Sequence, residues 1–319
     1  MYITHQQFNL KRINNLVSGG AGFLGSHLID KLLAKGENVL CIDNFSTGKT
    51  DNILHLKNNN SFIFIKHDVL QPLKSEIPID KIWHLACPAS PSQYQKDPLR
   101  TIRINYEGTL NILNLAKEFK SKLLFTSTSE VYGLSNGLTQ NEDMLVNLST
   151  NSPRACYSEG KRIAETLIYV FGKVNNLQTR LARVFNTYGP RLNINDGRVI
   201  SNFINQSLNK KKLTIYGDGS QTRSFCYVND MVQGLIALME SEYSNPINLG
   251  TDQEISILNL ASLIRNKINN KISLEYFDLP IDDPRFRKPC LDLAKKELGW
   301  DPKIDLSEGL EKTINYFKI

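Results

Sequence analysis

No stretch of this 319-residue chain approaches the ~20 consecutive apolar residues that a membrane-crossing helix needs. Cysteine is sparse. The five residues, Cys41, Cys87, Cys156, Cys226 and Cys290, are odd in number and widely spaced. They form no Cys-x-x-Cys pair and no Cys/His cluster at metal-ligand spacing, which argues against a disulfide framework and a metal site and fits a reducing compartment. Long runs of one charge are also missing. Lys and Arg number 38 against 32 Asp and Glu, a net charge of +6, and the pI is about 8.9. The cations are scattered, so the balance suits an anionic ligand and argues against a nucleic-acid stripe. Residues 1–15 are polar and lack an apolar signal-peptide core, and the expected location is the cytoplasm. There is no internal repeat and no low-complexity linker.

What is present is a soluble globular composition, 41% hydrophobic and 22% charged. The length allows one large α/β domain, or a main domain with a smaller lobe. In the first half, short apolar runs predict strands at 15–18, 38–43, 62–67, 81–85, 122–127 and 179–183. Helix-period segments at 24–34, 102–119 and 158–174 fall between them. That alternation predicts βαβ units and a Rossmann-type, doubly wound parallel sheet. The first strand has a weak start, because Asn14 and Asn15 stand where β-branched residues are favoured. Further helices are expected at 228–239, 258–268 and 307–317, among loops at 193–198, 217–223 and 282–289. We expect residues 1–189 to form a dinucleotide-binding domain. Residues 190–319 would form a smaller, interleaved α/β substrate lobe, with some segments returning to the first domain.

Two motifs carry chemistry. Gly19-Gly20-Ala21-Gly22-Phe23-Leu24-Gly25 lies between a strand and an amphipathic helix. Glycines are needed where a turn is tight and where backbone must approach a pyrophosphate. The next strand ends in Asp43, an acid roughly 20 residues past the turn, which suits adenosine ribose hydroxyls and repels a 2′-phosphate. NAD is therefore favoured over NADP, tempered slightly by Lys49 in the following loop. Asp68-Val69, after the third strand, is placed to meet the adenine.

The second motif is Tyr157-Ser158-Glu159-Gly160-Lys161. Free tyrosine has a pKa near ~10 and is a poor base at neutral pH. An ammonium four residues away lies on the same helix face, and with an oxidised nicotinamide it should lower that value. A hydroxyl from Thr126-Ser127-Thr128-Ser129 could orient the same substrate hydroxyl. Planar arginines suit paired phosphate contacts, and Arg191, Arg223 and Arg287 are the candidates.

Together these features resemble the extended short-chain dehydrogenase/reductase family, whose members act on nucleotide sugars. Matches at His84-Leu85-Ala86, Arg183-Val184-Phe185-Asn186-Thr187-Tyr188-Gly189-Pro190, Gly219-Ser220-Gln221-Thr222-Arg223, Asn248-Leu249-Gly250 and Leu298-Gly299-Trp300 extend it over almost the whole chain. Within the family, Cys87-Pro88-Ala89-Ser90-Pro91, Ser127-Thr128-Ser129-Glu130-Val131-Tyr132-Gly133, Pro153-Arg154-Ala155-Cys156-Tyr157, Asn195-Asp196-Gly197-Arg198-Val199 and Arg287-Lys288-Pro289 resemble the UDP-glucuronate decarboxylase branch. Two residues depart from common patterns: Cys87 stands where many relatives carry serine, and Ser18 where threonine is usual.

The resemblance implies an NAD-dependent carboxy-lyase that makes UDP-xylose and CO2 through a 4-keto sugar, working as a homodimer through helices 102–119 and 158–174. It places NAD on Gly19, Gly22, Phe23, Leu24, Gly25, Asp43, Asn44, Asp68, Val69, Leu85, Ala86, Tyr157 and Lys161. Thr128 would support proton transfer at Tyr157. Ser129 and Glu130 would sit near C5 and the carboxylate, where Glu130 either assists CO2 loss or binds a sugar hydroxyl. Asn186, Arg191, Arg198, Arg223 and Arg287 would hold the diphosphate or sugar, and Tyr216 and Gln221 the nucleotide. Alternatives are a 4-epimerase, an oxidative decarboxylase that stops at the 4-keto pentose, and a non-catalytic dinucleotide-binding module. A 4,6-dehydratase fits less well, because such enzymes carry Asp-Glu where this chain has Ser129-Glu130.

Overall fold

Strands buried on both faces lose alternation and read as continuous apolar runs, and Val39-Leu40-Cys41-Ile42 is buried at every position. The computed structural model describes residues 1–4, 11–133, 137–145, 148–279 and 286–318. Its centre is a seven-stranded, wholly parallel sheet. The strands are β1 (Ile13–Ser18), β2 (Val39–Asp43), β3 (Phe62–Lys66), β4 (Ile79–His84), β5 (Lys122–Thr128), β6 (Thr179–Val184) and β7 (Pro246–Leu249). They lie in the order β3-β2-β1-β4-β5-β6-β7. Six match the expected positions. β7 comes from the second half of the chain and pairs with β6.

Period-two geometry assigns adjacent residues to opposite faces of the sheet. Val17, Cys41, Trp83, Leu124 and Ala182 enter one core. Leu16, Leu40, Ile82, Leu123 and Leu181 enter the other. The first core is closed by helix α1 (Phe23–Ala34), through Leu28, Ile29 and Leu32, and by Val228–Glu240. Helix α2 (Pro98–Arg103), a π-helical turn (Ile104–Gly108), α3 (Thr109–Phe119) and α4 (Ala155–Asn175) cover the second face. The single helix expected over 102–119 is thus two helices joined by a π turn.

β1 starts at Ile13, earlier than the sequence suggests. Its asparagines are tolerated because they are bonded: the Asn15 amide donates to Glu37 (2.6 Å), and Trp83 Nε1 donates to Asn15 Oδ1 (2.8 Å). Beyond β6, short strand pairs and helices build over the carboxyl ends of the sheet, including Leu213–Tyr216 beside Leu274–Phe277 and Thr222–Ser224 beside Glu254–Ser256. The expected loop at 282–289 falls partly outside the described residues, at 282–285. Among the described residues, no helix is long and apolar enough to cross a membrane.

The strand order reverses between β1 and β4, so the loops leaving these neighbours diverge and open a crevice at the carboxyl edge. Below it, His84 is buried between Ser18 Oγ (2.7 Å from Nδ1) and Thr109 Oγ1 (3.2 Å from Nε2). Burial, with a smaller push from Lys161, lowers its pKa to about 3. The unfolded chain's imidazole takes up a proton near pH 6.5 and the folded one does not. The stabilisation is therefore complete above pH 6.5 and is lost as pH falls toward 3. Between pH 6.5 and 5 this ring should remove about 2 kcal/mol of stability. Urea unfolding at both pH values should show that extra slope in the wild type and not in His84→Gln. Equal slopes would contradict it.

Candidate active site

Gly19 leaves β1 with φ +74°, and a Cβ there would lie 2.8 Å from the backbone nitrogen of Ala86. A Cβ on Gly25 would stand 2.2 Å from the Gly19 carbonyl, while one on Gly20 would meet the Cys41 sulfur at 2.4 Å. The turn therefore brings bare backbone to the crevice floor. Helix α1 follows with Gly22 at its N-cap and no side-chain cap, so its first N–H groups are available to an anion.

Asp43 ends β2 beside this turn. Its carboxylate accepts from Ala21 N (3.0 Å) and Phe45 N (2.7 Å). Burial pushes its pKa up, against the pull of the Phe45, Ala21 and Asn44 amides. Asp68 accepts from the Asn44 amide (3.1 Å) and pairs with Arg100. Burial would raise Asp68, but the Leu70 amide, Asn44 and Arg100 together hold it below the ordinary range. Lys49 bonds Asn193 Oδ1 across the cleft (3.4 Å).

At the other side of the crevice, α4 presents Tyr157 and Lys161 to the end of β5. The Lys161 ammonium donates to the Thr126 carbonyl (2.8 Å) and lies 4.4 Å from the Phe125 ring centroid. Thr128 hydrogen-bonds the Tyr157 phenol and accepts from Glu130 N (3.2 Å), capping the short turn Ser129–Tyr132. Tyr94 stacks on the Tyr157 ring, with centroids 4.8 Å apart and planes 1° from parallel. The protein's own groups do not depress the phenol: burial pushes it well above 10, with Cys87 and Glu130 adding and Thr128 opposing. Lys161 stands 5.9 Å from the Tyr157 ring centroid, and burial lowers its own pKa against the pull of Cys87 and Glu165.

Glu130 is nearly buried, with Arg154 Nη1 and Arg287 Nη1 each 3.6 Å from its Oε1. The sequence motif that contains Arg154 assigns it no role. Nor did the sequence single out Arg100 or Tyr94. All three partners lie far along the chain from the groups they contact, or in stretches without a distinctive pattern. Arg191 is tethered to Asp30 on α1 (2.7 Å), and Arg198 pairs with Asp196. The Gln221 amide holds the Tyr216 carbonyl (2.8 Å), and Arg223 donates to the Thr222 carbonyl (2.7 Å).

Every residue that the sequence assigns to cofactor, catalysis or substrate lines one cavity of about 450 Å³. In its wall, Asn186 Nδ2, Arg191 Nη1 and Arg287 Nε are buried donors without a hydrogen-bond partner among the described residues. Such donors suit the oxygens of a diphosphate or carboxylate. The glycine turn, the α1 N-terminus and the Asp43 carboxylate likewise fit a dinucleotide.

If Asp43 meets the adenosine ribose as its place after the glycine turn suggests, Asp43→Ala should weaken NAD binding roughly 10- to 100-fold, with less discrimination against NADP. Calorimetric titration with both cofactors checks this. Unchanged selectivity would refute the assignment.

The sequence-family profile described as GDP-mannose 4,6 dehydratase matches residues 16–313. UDP-glucuronic acid decarboxylase 1 of Xenopus tropicalis is 49% identical over 97% of this chain and 72% of that protein. UDP-glucuronic acid decarboxylase 5 of Arabidopsis thaliana is 47% identical over 99% of this chain and 93% of its own length. Among solved structures, a UDP-glucuronic acid 4-epimerase from Bacillus cereus, in complex with UDP-glucuronic acid and NAD, superimposes with a TM-score of 0.85. It is 31% identical over 96% of this chain and 99% of that one. The chain belongs to the UDP-glucuronic acid decarboxylases, a branch of the extended short-chain dehydrogenase/reductase family.

Proposed function

We propose that this cavity decarboxylates UDP-glucuronate to UDP-xylose without net redox change. The observation that carries the reading is Glu130. It stands two residues from the Thr128 that bonds Tyr157, with Arg154 and Arg287 beside it. A sugar carboxylate on C5 does not leave readily as CO2, because the carbanion has nowhere to delocalise. A ketone at C4 is β to that carboxylate, so the electron pair of the breaking C5–C6 bond passes into an enolate.

The glycine turn and Asp43 would hold NAD, which would supply a hydride acceptor for C4 and, after CO2 loss, the hydride for its reduction. Tyr157 takes the proton of the C4 hydroxyl and gives it back at the end, oriented by Thr128. Its burial-raised pKa means that Lys161 and the positive charge of the oxidised cofactor must favour the phenolate. Arg287 and Arg154 hold the sugar carboxylate against Glu130 until the C5–C6 bond breaks, and Glu130 with Ser129 manages the proton that C5 then takes. Residues 190–319 supply most of the diphosphate and nucleotide contacts, through Arg191, Arg198 and Arg223.

Proton NMR of the purified protein with UDP-glucuronate and NAD should show UDP-xylose and no net NADH. Glu130→Gln should lose CO2 release by more than it loses C4 oxidation. UDP-galacturonate as product would mean a 4-epimerase, and a 4-keto pentose with NADH an oxidative enzyme.

A homodimer fits the same reading. Leu99 and Ile102 on α2, Tyr106 in the π turn, and Ile163, Tyr169 and Val170 on α4 are exposed apolar side chains. Sedimentation should give twice the chain mass, and Tyr169→Glu should shift it toward one chain. A monomeric wild type would remove the proposal.

A further inference from the structure

Arg287 reaches Glu130 from a segment outside the main sheet and its helices. The segment is held by a small pairing with the 137–145 stretch. Gln140 N donates to the Lys288 carbonyl and Cys290 N to the Gln140 carbonyl, both at 2.8 Å, making a parallel bridge between Gln140 and Pro289. We infer that Asn248, in β7, is the positioning residue that keeps this pairing in register with Glu130.

Asn248 is wholly buried and does not line the cavity. Its amide nitrogen donates to the Gln140 carbonyl (3.0 Å) and the Cys290 carbonyl (3.4 Å), gripping both strands of the pairing. Its amide oxygen accepts from the Tyr132 hydroxyl (2.6 Å). Tyr132 closes the same short turn, Ser129–Tyr132, that carries Glu130. One side chain therefore ties the backbone that bears the acid to the backbone that bears the arginine. Asparagine suits this, since one end must accept from a phenol while the other donates to two carbonyls. A carboxylate of the same shape would face two carbonyl oxygens.

The lock is anchored from outside. Asn248 N donates to Glu142 Oε1 (2.8 Å). Arg183 donates to the Tyr132 hydroxyl (3.0 Å) and forks onto Glu165 (3.1 and 2.8 Å). Glu165 lies one turn beyond Lys161 on α4, so the network joins the helix of the acid–base pair to the arginine's segment.

The inference rests on reading Arg287 as the partner of the substrate carboxylate, and a double-mutant cycle separates the two. Asn248→Ala should lower kcat on UDP-glucuronate roughly 10- to 100-fold through misplacement of Arg287. NAD affinity should be preserved, and NADH with 4-keto sugar should accumulate. Combined with Arg287→Ala, it should add no more than about 3-fold to the loss from Arg287→Ala alone, because both changes remove one unit. Full multiplication of the two effects, or wild-type kcat in Asn248→Ala, would overturn the inference and leave the role of Arg287 standing. Wild-type kcat in Arg287→Ala would overturn both. Should Asn248→Ala not fold, Tyr132→Phe, which deletes one hydroxyl, takes its place in the cycle with the same expected non-additivity.

Discussion

One buried hydrogen bond, from the Lys161 ammonium to the Thr126 carbonyl at 2.8 Å, sets where the other groups of the cavity stand. An ammonium sealed from water must keep a partner, so α4 cannot slide along β5 without losing it. A slip of one residue would carry Tyr157 about 1.5 Å along the helix and turn it away from Thr128. The strand continues from Thr126 to Thr128 and then into the turn that bears Glu130. The Tyr157 phenol, the Thr128 hydroxyl and the Glu130 carboxylate thus inherit their spacing from one helix–strand contact.

Burial and charge act together in the cavity. At the tyrosine end, burial raises the phenol and lowers the ammonium, so both groups are pressed toward neutrality. Beside them, two guanidiniums face the Glu130 carboxylate, and along the cavity wall three buried donors lack partners among the described residues. Each such donor carries a desolvation cost of about 1–3 kcal/mol that an incoming oxygen would relieve. An anionic ligand entering the cavity therefore meets unspent hydrogen bonding close to the buried phenol.

Much of this was legible in the chain. The glycine turn, Asp43 and the Tyr157/Lys161 pair are short-range patterns, and geometry within a turn or along one helix face can be read from spacing. The six strands of the first half were legible because apolar runs betray burial on both faces. What could not be read depends on distant partners. The early start of β1 needs Trp83 and Glu37 to satisfy Asn15. The division of 102–119 by a π turn carries no period of its own. Arg154 and Arg287 both follow Glu130 in sequence, in separate segments, and only the fold brings both to it. The lysine four residues from Tyr157 is visible in sequence, and the burial that raises the phenol is not.

Gly19 and Gly20 show how differently two neighbouring glycines can be constrained. A side chain at Gly19 would strike the backbone of Ala86, whereas one at Gly20 would strike the Cys41 sulfur and the Ile29 methyl. Backbone cannot be trimmed by mutation, but side chains can. Over evolutionary time the first position has no compensating partner and is closed to drift. The second can change if residues 41 and 29 shrink with it, so 20, 29 and 41 should vary as a group while 19 stands alone.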